Sequence, residues 1–321
     1  MLYFKLPFTS DFFTLQGDSS KDFLEFVSFD TKNTLSFKGT LEKVSDKEIL
    51  QAEFFSSELI ESSELKAQTR EKYEEKLKES IELIKKHKLD KLVLSRRKLI
   101  NYDKLSLSKS FLNLTKAYPK AFSYVFAKGS ESWIGAFSEL LGEYNIDTRE
   151  FKTMSLAGTL PIEEEWEVKE KEEQAAVTRY IESILRKYSK EIKTSETYSH
   201  PSGPIKHLRT DFSCQIKPEN LDSLIQDLHP TPAVLGAPKD LCRQLLERLE
   251  PYPREFYAGY SKLKIGNKLY YFVMLRCAKL YKNSAHLFVG GGITAKSNIE
   301  KEFEETELKA QAIGNHLEII S

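Results

Sequence analysis

Strand-like runs and amphipathic helices alternate along this 321-residue chain, and that alternation most constrains its fold. In residues 61–88 the apolar side chains Tyr73, Leu77, Ile81 and Ile84 step by four, four and three, the period of a helix with one solvated face. Residues 164–188 show the same helical period. Strand-like runs lie at residues 92–100, 121–127, 133–144, 155–159, 269–280 and 285–290. Because no regular βαβ rhythm appears, the pattern predicts an α+β (mixed α/β) fold.

Shorter segments complete the predicted organisation. We expect helices at residues 106–117 and 238–249, a loop at 194–206, and a C-terminal helix that begins near Ser297 or Asn298. No linker-like stretch divides the chain, so a single domain over residues 1–321 is expected.

Charge and cysteine content exclude several classes of protein. The 48 Lys and Arg residues balance the 48 Asp and Glu residues, so no global basic field exists to hold nucleic acid or an anionic membrane. Cys214, Cys242 and Cys277 are far apart and form no C-x-x-C pair, which argues against disulfides or zinc and fits a reducing cytosol. The N-terminus lacks a signal-peptide pattern and no long apolar run exists, so a cytoplasmic protein is expected.

Four glutamates in two pairs are candidate metal ligands. Glu170 and Glu173 lie three apart in one predicted helix, and Glu302 and Glu305 lie three apart in another. This spacing puts each pair on one helical face. Two such faces opposed would form an oxygen-rich site for a hard cation such as Mg²⁺. Because both helices are rich in glutamate, spacing alone favours a solvated surface instead.

The segment FVGGGITAKS at residues 288–297 has the pattern of a strand, a glycine turn and a helix start. Such a turn can present backbone N–H groups and a helix N-terminus to an anion. It nearly matches the phosphate-binding loop, but Ala295 stands where that loop needs its second glycine. The pattern therefore indicates an anion site or a plain tight turn, and disfavours nucleotide binding.

Lys91 is a candidate base at the start of the run LVLSRR. It would need burial or a nearby cation to lower its pKa, which is about 10.4 in a free lysine. His207 and His229 lie in short motifs, where a lone histidine is more often structural than catalytic. From the residues alone, the interpretation stops at an enzyme-like domain that combines a hard cation with an anionic substrate.

Nine short segments carry a resemblance when they are taken together. They are KLVLSR (91–96), GAFSELL (135–141), LAGT (156–159), KEKEEQ (169–174), HLRT (207–210), LHPTPAVLGAP (228–238), YAG (257–259), LRC (275–277) and GGGI with EFEET and Lys309 (290–309). Together they resemble the chorismate-utilising enzymes, a family that includes isochorismate, salicylate, anthranilate and aminodeoxychorismate synthases. The segments follow the family's order between about residue 85 and 312, whereas the first 85 residues resemble it little.

The resemblance implies one domain of two large packed sheets with helices outside and a substrate cleft. It implies that Glu173 and Glu305 ligate Mg²⁺, which holds the ring carboxylate of chorismate, and that Glu170 and Glu302 hold waters or orient the site. It also implies a set of substrate contacts. These are Gly158, Thr159, His207, Thr231, Tyr257, Arg276, Gly290, Gly292 and Lys309.

Within the family, the chain most resembles the water-using isochorismate synthases. They have a lysine where Lys91 stands, and Ala157 replaces the lysine of aminodeoxychorismate synthases. The implied mechanism has Lys91 as the base that activates water for attack at C2, with Glu139 as the acid that protonates the departing C4 hydroxyl. The expected protein is a monomer that acts on chorismate without an obligate partner subunit, in menaquinone or siderophore synthesis.

The chain departs from the family pattern in three places. GAFSELL lacks the proline that commonly precedes the glutamate, LPIEEEW follows LAGT instead of an arginine-containing run, and Gln174 replaces a common histidine. These departures leave alternatives open. Salicylate synthase would use the same groups, and anthranilate synthase is disfavoured by Lys91. A binding protein without activity would have no need of Lys91 and Glu139, and a nucleotide-binding module is the most remote alternative.

Overall fold

The computed structural model describes residues 1–17, 21–52, 54–62, 68–137, 139–202 and 205–320, without the side chains of Thr159, Lys169, Ser202 and Ile205. The first part of the chain forms β1 (Leu2–Lys5), β2 (Phe12–Gln16), β3 (Asp22–Val27), β4 (Thr34–Val44), α1 (Asp46–Gln51), α2 (Arg70–His87), β5 (Lys91–Asn101), β6 (Lys104–Ser106), α3 (Leu107–Ala117), β7 (Phe122–Lys128), β8 (Glu131–Phe137), β9 (Leu140–Asn145) and β10 (Glu150–Pro161). The second part forms α4 (Val168–Tyr188), β11 (Ile192–Thr194), β12 (Tyr198–Ser202), β13 (Ile205–Gln215), α5 (Leu221–Leu228), β14 (Gly236–Ala237), α6 (Lys239–Leu249), β15 (Tyr260–Ile265), β16 (Lys268–Val273), β17 (Cys277–Leu280), β18 (Ser284–Ile293), α7 (Ile299–Gly314) and β19 (Glu318–Ile320).

Two antiparallel sheets share the long strand β4. The first sheet has the order β4-β2-β1-β7-β8-β17-β18-β5-β14, and the second has the order β4-β3-β15-β16-β9-β10-β13, with β11 and β12 on the outer side of β13. Strands β6 and β19 form a separate small pair. The predicted mixture of helices and strands in a single domain is therefore confirmed.

Gly39 lets β4 cross from one sheet to the other. Residues up to Gly39 pair with β3, and residues from Thr40 onward pair with β2. A Cβ atom at position 39 would lie 2.6 Å from the carbonyl oxygen of Gln16, a distance that no side chain tolerates. The two sheets can therefore meet along β4 only if this residue is glycine.

The main core fills the space between the two sheets with aromatic side chains. Phe122 of the first sheet stacks on Phe272 of the second at a centroid distance of 4.7 Å and an interplanar angle of 10°. Phe26 of the second sheet packs on Phe126 of the first at 4.5 Å. Each such ring buries a large apolar area, so these contacts hold the sheets face to face.

Helices cover the outer faces of both sheets. Helix α3 packs Phe111 and Leu114 against the first sheet, and α2, α6 and α7 bury apolar residues over β5. Helix α4 lies on β10, where the hydroxyl groups of Ser155 and Thr178 are 2.8 Å apart. Among the described residues, no helix has the length and apolarity needed to cross a membrane. The three cysteines are free and buried.

The structure corrects several of the predicted boundaries. The stretch 194–206 is not a loop, because β12 and the start of β13 form a hairpin arm there, with Tyr198 opposite Arg209. Pro201 is tolerated because β12 is an edge strand, where a missing N–H costs no ladder bond. The strand expected at 133–144 is two strands, β8 and β9, and the strand expected at 269–280 is likewise two, β16 and β17. Helix α4 begins at Val168 rather than at 164, and α2 begins after its cap Thr69, while residues 63–67 of the predicted helix lie outside the described residues.

Candidate active site

The candidate site, termed the cleft, lies where β18 extends beyond its neighbour β17. Strand β17 pairs with β18 only as far as Phe288, whereas β5 pairs with β18 along its whole length to Ile293. The three glycines of the motif are therefore part of β18 and not of a turn, which corrects the prediction of a glycine turn before the helix. Their strand lines the cleft with backbone rather than with side chains.

Lys91, the first residue of β5, reaches across this cleft. Its Nζ atom donates a hydrogen bond to Oε1 of Glu173 on α4, at 3.1 Å. A Cβ atom on Gly292 would lie 2.2 Å from Cε of Lys91. The absence of a side chain at Gly292 thus leaves the channel in which the Lys91 side chain lies.

Glu139 follows β8 and is anchored by its own backbone. Its carbonyl oxygen accepts a hydrogen bond from the N–H of Val273 at 3.0 Å. Burial raises the pKa of the Glu139 carboxyl from 4.5 to about 7, and the positive charge of nearby Lys91 opposes this rise. A large fraction of Glu139 is therefore protonated near neutral pH, which is the state that a general acid needs. Ser138 of the same motif lies outside the described residues.

Gly158 lies in β10 and packs closely against the first turn of α4. It has φ of +70° at an irregularity in the pairing of β10 with β13, and a Cβ atom there would lie 3.1 Å from Cβ of Glu170. The carbonyl oxygen of Gly158 is 3.1 Å from Nδ1 of His207. Burial lowers the pKa of His207, so its ring is neutral near pH 7. The backbone of Thr159 pairs with His207, but its side chain lies outside the described structure.

Gly290 lies between Tyr257 and Lys309. A Cβ atom at Gly290 would be 3.0 Å from the hydroxyl oxygen of Tyr257, whose ring stacks on Phe288 at 5.8 Å. From α7, Nζ of Lys309 donates to the carbonyl oxygen of Gly290 at 2.9 Å. The structure therefore brings together three of the residues that the resemblance assigns to substrate binding.

Helix α7 begins at Ile299, close to the predicted start, and its N-terminus is capped by a side chain and carries acidic residues. The side chain of Asn298 accepts the N–H of Lys301, and the first turn carries Glu300 and Glu302. A carboxylate-bearing first turn repels an anionic ligand, although it complements the helix dipole. The first turn of α7 therefore does not favour an anion, and anion binding by the segment at residues 288–297 stays a prediction.

Thr231 and Arg276 differ in how they meet the cleft. The hydroxyl oxygen of Thr231 is buried and has no hydrogen-bond partner within the described part of the chain, so it is available to a bound molecule. Arg276 is exposed, has φ of +46°, and places its guanidinium 5.5 Å from the ring centroid of Tyr118. Its charge helps to lower the pKa of His207, so Arg276 lies near that ring.

The four glutamates do not form a closed cluster. Glu173 pairs with Lys91 at 3.1 Å, Glu305 pairs with Lys309 at 2.6 Å, and Glu302 accepts from Oγ of Ser297 at 2.6 Å. Across the residues described, no three His, Cys, Asp or Glu side chains form a group that could hold a metal ion.

The same residues nevertheless suit a hard divalent cation. The oxygen Oε2 of Glu170 is buried without a hydrogen-bond partner in the described structure, and a buried carboxylate oxygen needs a cation or a donor. Carboxylates from the first two turns of α4 and α7 are ligands that Mg²⁺ prefers. By donor chemistry, then, Glu170, Glu173, Glu302 and Glu305 fit the predicted ion.

Sequence reasoning missed a buried ion pair that supports the cleft. Arg254 donates to Glu250 through Nε at 2.8 Å and through Nη2 at 2.6 Å. The two side chains are 1% and 8% exposed, so the pair is fully buried. The spacing of four residues in EPYPR is a weak signal, because its two prolines exclude the helix in which such a pair is usually recognised.

Comparison with known proteins identifies relatives along most of the chain. The family described as "Chorismate binding enzyme" matches residues 27–318. The isochorismate synthase MenF of Escherichia coli K12 is 27% identical over 208 residues, 61% of this chain and 48% of that protein. The isochorismate synthase EntC of the same organism is 34% identical over 151 residues, 46% of this chain and 38% of that protein. The chain thus aligns with about half or less of the length of these relatives.

One solved structure extends the likeness to the whole chain. The menaquinone-specific isochorismate synthase MenF from Escherichia coli superposes with a TM-score of 0.79, at 19% identity, over 98% of this chain and 88% of the other. At this identity the superposition establishes the shared fold.

Proposed function

Because the chain belongs to the family of chorismate binding enzymes, we propose that it is an isochorismate synthase, which converts chorismate to isochorismate with Mg²⁺. The observation that carries this proposal is that the Glu139 carboxyl lies close enough to Lys91 to feel its charge, with the pKa of Glu139 raised to about 7. A base and a protonated acid close together are what the reaction needs.

Lys91 takes a proton from the water that attacks C2 of chorismate. The ring double bonds shift, and Glu139 gives its proton to the hydroxyl that leaves C4, so one water enters and one departs. Lys91 can act as a base only when its contact with Glu173 is open and its ammonium group has lost a proton. Gly292 supports this role because it leaves the Lys91 side chain room to move within the cleft.

The remaining groups would hold the substrate. Glu173 and Glu305 would ligate Mg²⁺, with Glu170 and Glu302 as their partners, and the ion would neutralise and orient the ring carboxylate of chorismate. Tyr257, Arg276 and the backbone N–H groups of Gly290 and Gly292 would receive the enolpyruvyl carboxylate.

Further substrate contacts would come from residues around the cleft. Lys309 already contacts the carbonyl of Gly290, and His207 contacts that of Gly158. The buried hydroxyl of Thr231 is an additional donor.

The test is incubation of the purified protein with chorismate and Mg²⁺, with and without EDTA and with and without ammonium, followed by chromatography of the products. Isochorismate in equilibrium with chorismate, lost with EDTA, is the expected result. Salicylate with pyruvate would instead indicate salicylate synthase, and anthranilate formed only with ammonium would contradict the role of Lys91. No conversion would leave a chorismate-binding protein without this activity.

A further inference from the structure

The β5 segment that carries Lys91 lacks a complete neighbouring strand on one side. Strand β18 pairs with one edge of β5, but on the other edge β14 pairs only with Lys91 and Leu92. The N–H of Val93 still donates to the carbonyl of Leu235 at 3.1 Å. Val93 and Ser95 are buried, so the carbonyl of Val93 and the N–H of Ser95, which lie on the same edge, need other partners.

Side chains of Arg254 and Glu250 take the place of the missing strand. Nη2 of Arg254 donates to the carbonyl of Val93 at 2.6 Å, and Oε1 of Glu250 accepts the N–H of Ser95 at 2.8 Å. The buried Arg254–Glu250 pair thus continues the hydrogen bonding along the edge of β5. Because the groups are charged and buried, these bonds are stronger than neutral ones.

The same arginine also holds the two other segments that face the cleft. Nη1 of Arg254 donates to the carbonyl of Val234 at 2.7 Å, in the turn whose N–H groups bond back to the carbonyl of Thr231. The carbonyl of Arg254 accepts the N–H of Tyr257 at 2.9 Å. One side chain and its own backbone therefore link the strand of Lys91, the turn of Thr231 and the turn of Tyr257.

We propose that Arg254, fixed by Glu250, is a positioning residue that sets Lys91 relative to Thr231 and Tyr257. The inference rests on the proposed function, since it assigns a role in the same cleft. Arg254 does not touch the reacting atoms and acts only through the three backbone segments that it joins. Lysine cannot replace it, because a single ammonium group lacks the planar fork that reaches two carbonyls and a carboxylate at once.

The test compares Arg254→Lys and Glu250→Gln with matched controls in a second Arg–Glu pair. Arg97 donates to Glu255 at 3.0 Å, and its side chain is 5% exposed, so Arg97→Lys and Glu255→Gln disturb a similar pair farther along β5. Turnover of chorismate is measured at a temperature where circular dichroism shows every variant folded. Hydrogen exchange of the peptides covering residues 91–96 and 230–235 is measured on the same samples.

We expect Arg254→Lys to lower kcat at least tenfold, with a smaller change in KM, and to speed exchange in both peptides. A displacement of about 1 Å can cost on the order of 10²-fold in rate. Glu250→Gln keeps an acceptor for Ser95, so its kcat should fall less, and both controls should stay within threefold of the parent. Equal kcat in Arg254→Lys and Arg97→Lys, or unchanged exchange in both peptides, would overturn the inference.

The exchange measurement separates this inference from the proposed function. If the parent protein converts no chorismate but exchange at 91–96 and 230–235 rises only in the Arg254 and Glu250 variants, positioning holds and the activity is wrong. If the parent is active and Arg254→Lys keeps its kcat, the activity holds and the positioning role is wrong. Should Arg254→Lys fail to fold, Glu250→Gln carries both measurements.

Discussion

Glu139 shows how its surroundings determine the chemistry of a single side chain. Its motif predicted an acid, and the structure adds the physical cause, since burial raises its pKa to about 7 while Lys91 opposes the rise. The motif could be read because its residues are contiguous. The burial of Glu139 could not be predicted from the sequence, because it depends on strands that are far apart in the chain.

Glu139→Gln should lower turnover by at least about 10², the usual range for loss of a general acid, because the amide has no proton to give to the leaving hydroxyl. The variant should fold normally, since it keeps the shape of the side chain. Kinetics with chorismate and circular dichroism check both points. A folded, fully active variant would remove Glu139 from the mechanism.

The same carboxyl should make stability depend on pH. The folded pKa of about 7 lies above the unfolded value of 4.5, so the stabilisation is complete below pH 4.5 and is lost as pH rises to 7. The loss is at most about 3 kcal/mol, at about 1.4 kcal/mol per pKa unit. Urea unfolding at pH 5 and 7 should show this trend in the parent and a smaller one in Glu139→Gln, and equal trends would contradict the raised pKa.

Gly292→Ala should lower turnover with only a small loss of melting temperature. The added methyl group would lie 2.2 Å from Cε of Lys91, and the flexible lysine can move aside at little energetic cost but then leaves its place in the cleft. Lys91→Ala is the reference for complete loss of the base. Unchanged kcat in Gly292→Ala would mean that Lys91 works from another position.

Other residue contacts were beyond sequence reasoning for geometric reasons. The contact between Lys91 and Glu173 joins residues 82 apart, and the side-chain direction of Arg276 follows from its φ of +46°. Neither a long-range contact nor a left-handed backbone at an arginine leaves a pattern in the sequence.

At the scale of elements, helices were predicted better than strands. The apolar period of α2 and α4 survives in the structure because each helix buries one face against a sheet. The hairpin arm of β12 was missed because Pro, Gly and Ser in residues 194–206 are typical of loops, and only pairing with β13 makes this edge a strand.

Helix α7 should depend on its N-cap. The side chain of Asn298 accepts the N–H of Lys301 at 3.0 Å, so Asn298→Ala should lower the free energy of unfolding by about 1 kcal/mol. Denaturant unfolding measures this, with Asn315→Ala at the opposite end of α7 as the control. An equal effect of both variants would show that the cap contributes nothing specific.

At the scale of the whole molecule, the shared strand β4 makes one body of two sheets. The resemblance predicted two packed sheets, and this is confirmed. The motifs that carry the resemblance lie mostly outside the first 85 residues. The strand that joins the sheets lies in those residues, so its role could not be predicted from the motifs.

Gly39→Ala should destabilise the entire protein rather than one edge. Its methyl group would lie 2.6 Å from a backbone oxygen of Gln16, which cannot move without separating β2 from β4. We expect a loss of about 3 kcal/mol or more, within the range of strongly destabilising substitutions. A Cβ atom at Gly129 would have nothing within 4 Å, and its φ of +59° is one that asparagine adopts, so Gly129→Asn is the control. Melting temperatures near that of the parent for both variants would contradict this account of the crossing.

The pairing of β5 with β18 has a consequence for how the protein is made. Lys91 enters the growing chain about two hundred residues before Gly292, its neighbour in the finished cleft. At about 5 to 20 residues per second, a ribosome needs about 10 to 40 seconds to add them. During that time β5 has an exposed edge that could pair with another nascent chain. The cleft around Lys91 therefore cannot form before Gly292 has been made, and until then the open edge of β5 is exposed to non-native pairing.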